Sequence, residues 1–246
     1  MKHTLIIVFI SLLLFSCQEE NNEIQLVNSK VTINHLFGNE LVLFNDNTFQ
    51  NAAGNELSLV KVRYLLSNIT LTKSNGEIVK LDSLYAFLDP ARNQNSFDLL
   101  NIEEGSYTNI SFDIGVDSLQ NHSDPTKLPA SHPLSLINHN LHWGWIDGYI
   151  FLSLEGYLHY MGQTQSFTYH MGFDRNKRRI SLDYDLDLSN NSQINIDFDI
   201  AKLFDATHQI DQSNEVFISH SVNDKGLSDR LMDNSLEAFT IQGVLK

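Results

Sequence analysis

The sequence predicts an all-β protein: an antiparallel β-sandwich with a long central loop and short C-terminal helices. Three observations carry that expectation. Apolar and polar residues alternate with period two in segment after segment, most cleanly in Ile180–Leu188 and Ile194–Ile200. Turn signals such as Gly38-Asn39 and Asn75-Gly76 separate the alternating segments. None of the segments up to Ile114 holds a helical period of any length.

The first residues are set apart from this pattern. Met1-Lys2-His3 and the apolar run Thr4–Ser16 form a charged and then a hydrophobic region, too short for the roughly 20 residues that span a bilayer. Residues 1–16 are therefore expected to be an export signal. The run ends Leu14-Phe15-Ser16-Cys17, a lipobox pattern that makes Cys17 the expected lipidated residue, with residues 17–29 as a polar tether. Cys17 is the only cysteine, so once lipidated it leaves neither a disulfide nor a thiolate ligand.

Residues 30–246 are enough for one β-domain with a substantial core. Without residues 1–16 the chain loses one of its 16 basic residues and none of its 30 acidic ones, giving a formal charge of −15. Such a surface repels nucleic acid and anionic lipid, so the expected partners include no nucleic acid, and the membrane enters only through the lipid anchor.

In chain order, Lys30–Phe37 and Glu40–Phe44 are expected to form a hairpin around Gly38-Asn39. Leu57–Leu71 is a strand, and Asn75-Gly76 is a type I′ turn signal that returns the chain through Ile78–Leu81. Ser83–Leu88 is a further strand, followed by a polar loop and then the strand Tyr107–Ile114. Residues 115–138 carry three of the four prolines and are expected to be a long loop without regular structure. Gly148–Tyr160 and Gln165–Gly172 form a hairpin; with Tyr160 facing Gln165, Leu158 meets Phe167, Leu154 meets Met171, and His170 lies directly across from Glu155. The aspartate-rich faces of Ile180–Leu188 and Ile194–Ile200 are either hydrated or hold a cation, hydration being favoured. Ala201–Asp205 is one helical turn, Ser228–Phe239 a helix with Ser228 as N-cap, and Thr240–Leu245 a closing edge strand.

The chemistry concentrates in His139–Tyr149, which holds two histidines and both tryptophans, Trp143 and Trp145. Gly144 and Gly148 exclude a helical His-x-x-His, but an extended or turning segment can still aim His139 and His142 at one ion. Imidazole suits Cu, Zn, Fe and Ni. His170, on the solvent face of its strand with Glu155 opposite, matches a carboxylate-oriented metal histidine and equally a surface ion pair. His122 is a loop cap or a further donor. Hydrolase, phosphate-loop, zinc-protease and dinucleotide fingerprints are absent from the sequence.

The order of motifs adds a resemblance. Arg63-Tyr-Leu-Leu-Ser-Asn68, Gly105-Ser-Tyr107, Phe112–Val116, Asn121-His-Ser-Asp-Pro125, His142-Trp-Gly-Trp-Ile-Asp-Gly-Tyr149, Phe167–Gly172, Leu203-Phe204 and Asn234–Phe239 follow one another as in the MbnP family. Over roughly residues 30–246 the chain resembles these methanobactin-associated copper-binding proteins. The resemblance implies an exported β-sandwich that holds Cu(I) through histidines, together with a kynurenine made by oxidising a tryptophan. In some relatives a di-haem cytochrome c peroxidase-type protein performs that oxidation.

Together these readings lead to a non-enzymatic, lipid-anchored protein of the periplasm or cell surface that handles copper. Its expected ligands are His142 and His170 with His139 or His122, with Trp143 or Trp145 as wall or modified ligand and Glu155 orienting His170. The competing expectation is a lipoprotein that binds a sugar or protein through Trp143, Trp145 and Tyr149 as an exposed stacking platform. A hydrolytic metalloenzyme is the least favoured reading.

Overall fold

The computed structural model describes residues 24–144 and 147–246 and forms two packed β-sheets. The expectations for the signal, Cys17, most of the tether and Trp145 lie outside the described residues. The strands are β1 (Leu26–Phe37), β2 (Glu40–Leu41), β3 (Thr48–Gln50), β4 (Glu56–Lys73), β5 (Ile78–Leu81), β6 (Ala86–Leu88) and β7 (Ser96–Glu103). They continue as β8 (Gly105–Ile114), β9 (Ile150–Tyr160), β10 (Gln163–Gly172), β11 (Arg178–Leu188), β12 (Gln193–Asp199), β13 (Ile218–Ser219) and β14 (Phe239–Leu245). The smaller sheet runs β14-β12-β1-β2 with β7 also on β1; the larger runs β11-β8-β4-β9-β10-β13, with β3, β5 and β6 on β4.

Alternation decides which faces meet. Val27, Val31 and Ile33 of β1 pack inward, as do Ile194, Ile196 and Phe198 of β12, against Leu57, Val62, Tyr64, Leu152 and Leu154 of the larger sheet. The centre is aromatic: Phe198 and Phe239 stack with centroids 4.3 Å apart, and Tyr64 meets Phe198 edge-on at 5.4 Å. His35 is buried there, with its Nε2 2.9 Å from the Tyr64 hydroxyl.

A second, smaller cluster lies apart from this core. Leu65, Val116, Leu134, Leu141, Tyr149, Ile150 and Phe151 pack together, so Val116, Leu134, Leu141 and Tyr149 cover one end of β9 on the side away from the main core. Phe151, on the opposite face of β9 from Leu152 and Leu154, is fully buried for this reason.

Several local expectations change. The sheets are mixed, because β1–β12 and β10–β13 are parallel pairs. The stretch before Gly105 is strand β7, not a polar loop. In the Asn75-Gly76 turn only Gly76 has a positive φ, 86°, so it is not the type I′ turn, which needs two such residues. The long loop contains the helical turn α1 (Ser118–Asn121), capped by the Asp117 carboxylate, and a 3₁₀ turn at Pro125–Lys127. The late helix α2 is shorter, Leu227–Asn234, and begins after Gly226. Ser228 lies inside it, and Asp224 accepts from the Ser228 and Gly226 N–H groups. The aspartate-rich β11 and β12 belong to different sheets, so their carboxylates do not form one face.

The β9–β10 hairpin closes through Met161 and Gly162, both with positive φ (50° and 73°), a two-residue turn. Tyr160 therefore pairs with Gln163, and the register lies two residues from the expected one: Leu158 meets Gln165, Leu154 meets Tyr169 and His170 meets Ser153. A shift of two preserves every side chain's face, which is why the apolar faces still coincide.

Candidate metal centre

Register places a polar row on the outer face of the larger sheet. Arg63 of β4 pairs with Ser153 of β9, and Ser153 with His170 of β10; in the neighbouring row Lys61 pairs with Glu155, and Glu155 with Thr168. His170 and Glu155 are thus diagonal neighbours rather than directly opposed, and His170 Nε2 lies 3.5 Å from Glu155 Oε1. That is long for a hydrogen bond. Among the described residues it leaves His170 Nε2 buried with no hydrogen-bond partner.

Strand β13 supplies the next side chain. It pairs in parallel with β10, Tyr169 against Ser219, so the following residues, His170 and His220, stand side by side. Their rings lie parallel, 5.3 Å between centroids and 10° between planes. Ser221, with φ 59°, ends this edge: its hydroxyl donates to the His170 carbonyl and accepts from the Gly172 N–H. His220 is exposed, and partial burial together with the neighbouring His170 lowers its pKa.

Trp143 closes the third side. Its ring lies 6.4 Å from His170, 5.9 Å from His220 and 5.4 Å from Phe173. Glycine permits the approach: a Cβ at Gly172 would stand 2.6 Å from Trp143 Cζ3 and 2.8 Å from the Tyr149 carbonyl oxygen. The segment carrying Trp143 doubles back, with the Trp143 N–H donating to the Gly148 carbonyl and the Gly148 N–H to that of Gly144. Asn121, fully buried, pins the return: its Oδ1 accepts the Tyr149 N–H at 2.7 Å, while its Nδ2 donates to Asp174 at 2.7 Å. Phe173 holds φ 65° and ψ 148°, a region bulky residues rarely adopt.

Glu155 is held from several directions. Arg63 Nη2 donates to Oε1 at 3.0 Å, Lys61 Nζ to Oε2 at 3.2 Å and Ser153 Oγ to Oε1 at 3.1 Å. The His170 ring first, then Lys61 and Arg63, bring its pKa down to about 2 against the opposing effect of burial. With the His170 contact long, the two cations secure the direction of that shift.

The other expected histidines make different contacts. His139 is buried; its Nδ1 accepts the Leu141 N–H at 3.1 Å, so its Nε2–H donates to the Pro133 carbonyl at 2.9 Å. Both nitrogens are committed, and burial lowers the pKa to about 4. His142 stands edge-to-face with Tyr149, centroids 4.6 Å apart, and its Nδ1 accepts the Gly144 N–H at 2.9 Å. A neutral ring then carries its proton on Nε2, a buried N–H with no hydrogen-bond partner among the described residues, so neither nitrogen presents a lone pair in this arrangement. His122 Nε2 faces Asp174 at 3.4 Å.

His170 and Trp143 are thus brought together, while His122, His139 and His142 pack elsewhere. His220, Arg63, Asn121 and Gly172 carry parts of the site that sequence reasoning did not assign. Only the parity of Ile218-Ser219-His220, a short apolar-polar alternation, signals His220.

Among the described residues no three His, Cys, Asp or Glu side chains are grouped to hold a metal ion. The donor set is two imidazoles beside an indole, and the buried His170 Nε2, without a hydrogen-bond partner among the described residues as His142 Nε2 also is, is the observation that fits a bound ion. Two nitrogen donors do not satisfy the four-coordinate preference of Zn²⁺ or the oxygen-rich shell of Ca²⁺.

Fold and site together define an all-β sandwich with a histidine pair and an indole on the outer face of its larger sheet. The chain belongs to the MbnP family, whose model matches residues 27–223. Its fold is similar to the solved structure of MbnP from Methylosinus trichosporium, with a TM-score of 0.54 at 14% identity, covering 76% of this chain and 80% of that one. Comparison with curated proteins finds no match.

Proposed function

We propose that this protein binds one copper ion, as Cu(I), at His170 and His220 beside Trp143, and that it handles copper rather than catalysing a reaction. The β10–β13 pairing that sets His170 beside His220, next to Trp143, is the observation that carries this reading; a rotation of the side chains out of their stacked orientation turns both lone pairs toward one ion. Imidazole suits copper, and Cu(I), a closed-shell ion, accepts as few as two or three donors. Membership of the MbnP family supports the choice of metal, since the family is associated with copper. When bound, the ion would supply a one-electron centre; the protein's part is to present two imidazoles beside the Trp143 ring, which Phe173 backs.

Oxidation of Trp143 to kynurenine would add a third donor, and a di-haem peroxidase-type partner belongs to the proposal on that account. Export, lipidation at Cys17 and residence in the periplasm or at the cell surface belong to it as well, on the strength of residues 1–17. Trp143 packs half-buried against two histidines, which favours the metal reading over the exposed platform for a sugar or protein.

Titration with Cu(I) against a competing chelator, together with the intact mass of the purified chain, tests the proposal. One tight equivalent per chain supports it, and the mass reports whether a tryptophan has been oxidised. No competition for Cu(I) at equimolar chelator rejects it.

A further inference from the structure

Glu155 is the carboxylate next to the histidine pair, with Oε1 3.5 Å from His170 Nε2. Two histidines and a carboxylate make a donor set suited to divalent ions such as Zn²⁺ or non-haem Fe²⁺. Yet both oxygens of Glu155 are occupied: Lys61 Nζ lies 3.2 Å from Oε2, while Arg63 Nη2 and Ser153 Oγ lie 3.0 and 3.1 Å from Oε1. Ser153 is fully buried, and the Arg63 and Glu155 side chains are only 15% and 20% exposed, so the contacts at Oε1 are shielded from solvent competition. Register fixes the arrangement, since Lys61, Arg63, Ser153 and Glu155 project from adjacent paired positions of β4 and β9.

We propose that Arg63 and Lys61 are specificity-determining residues: by engaging both oxygens of Glu155 beside the histidine pair they deny the site its anionic third donor and so select against divalent metal ions. Their charges act in the same direction. Arg63 and Lys61 together offset Glu155 and the neighbouring buried Asp89, leaving the surroundings of the ion without net negative charge, which penalises a divalent ion more than a monovalent one. This role presupposes the His170–His220 metal site proposed above.

The experiment titrates Zn²⁺ into wild type, Arg63→Met, Lys61→Met, Arg63→Lys and the double variant Arg63→Met/Glu155→Gln, with thermal unfolding to confirm that each is folded. Release of Glu155 is expected to tighten Zn²⁺ binding in Arg63→Met by about tenfold or more. Arg63→Lys keeps a cation at Glu155 and is expected to stay near wild type, and Glu155→Gln cancels the gain. Lys61 is the more exposed of the two cations, so Lys61→Met is the milder variant and keeps the test open if Arg63→Met does not fold. Unchanged Zn²⁺ affinity in the folded methionine variants, or a gain that survives Glu155→Gln, overturns the proposal. Zn²⁺ is read independently of copper, so a wild-type protein that fails to bind Cu(I) rejects the copper reading alone.

Discussion

The imidazoles of His170 and His220 lie parallel, 5.3 Å apart, although fifty positions of chain separate them. A two-residue strand, β13, produces this by adding in parallel to the edge of β10. The pair is therefore only as well placed as that edge, which Ser221 fastens by bonding both His170 and Gly172. Replacing Ser221 by alanine removes both bonds and is expected to weaken copper binding while leaving the main core in place. A wild-type copper affinity in Ser221→Ala, measured by chelator competition, contradicts this.

Gly172 is the floor under Trp143. In Gly172→Ala the new methyl meets both the indole and the Tyr149 carbonyl at under 3 Å, and the carbonyl is backbone that cannot turn aside. A cost of about 1–3 kcal/mol is expected, with a shifted Trp143 emission spectrum when measured in a Trp145→Phe background. Unaltered emission and unfolding midpoint would show that the indole does not rest there.

Asn121 ties the long loop to the start of β9. In Asn121→Ala the Tyr149 N–H loses its acceptor, a loss of about 1–3 kcal/mol for a buried group. Denaturant unfolding reads that cost directly, and an unchanged midpoint would remove Asn121 as the anchor.

His35 gives the fold a pH signature of its own. Burial lowers its pKa from 6.5 to about 3, so the folded protein keeps it neutral while the unfolded chain protonates it. Its contribution is complete above pH 6.5 and is lost as pH falls from there toward 3, by up to about 1.4 kcal/mol per pH unit. His35→Leu strands the Tyr64 hydroxyl and lowers stability at neutral pH, yet is expected to flatten the slope over that window. Parallel stability–pH slopes in variant and wild type would place the acid sensitivity elsewhere.

Much of the fold is legible because alternation is a local signal. Val27, Val31 and Ile33, or Ile194, Ile196 and Phe198, announce their faces without knowing their partners. The β9–β10 register was displaced by two residues because both pairings put the same side chains on the same faces; only the Met161-Gly162 turn distinguishes them. The site was half legible. Trp143 and His170 stand in conspicuous motifs, whereas His220 reaches them through a non-local parallel pairing with little sequence signature. His139 and His142 share Trp143's stretch, but both nitrogens of His139 and Nδ1 of His142 are taken up by backbone groups of the same loop, a local competition that residue type alone does not reveal.

The most direct measurement is a Cu(I) titration of His220→Ala beside His142→Ala, each against wild type. Loss of affinity in His220→Ala beyond the roughly 10–100-fold that removal of an outer-shell partner costs, with His142→Ala close to wild type, is the predicted result. Wild-type affinity in His220→Ala, with the loss falling on His142→Ala instead, would contradict the assignment of the site.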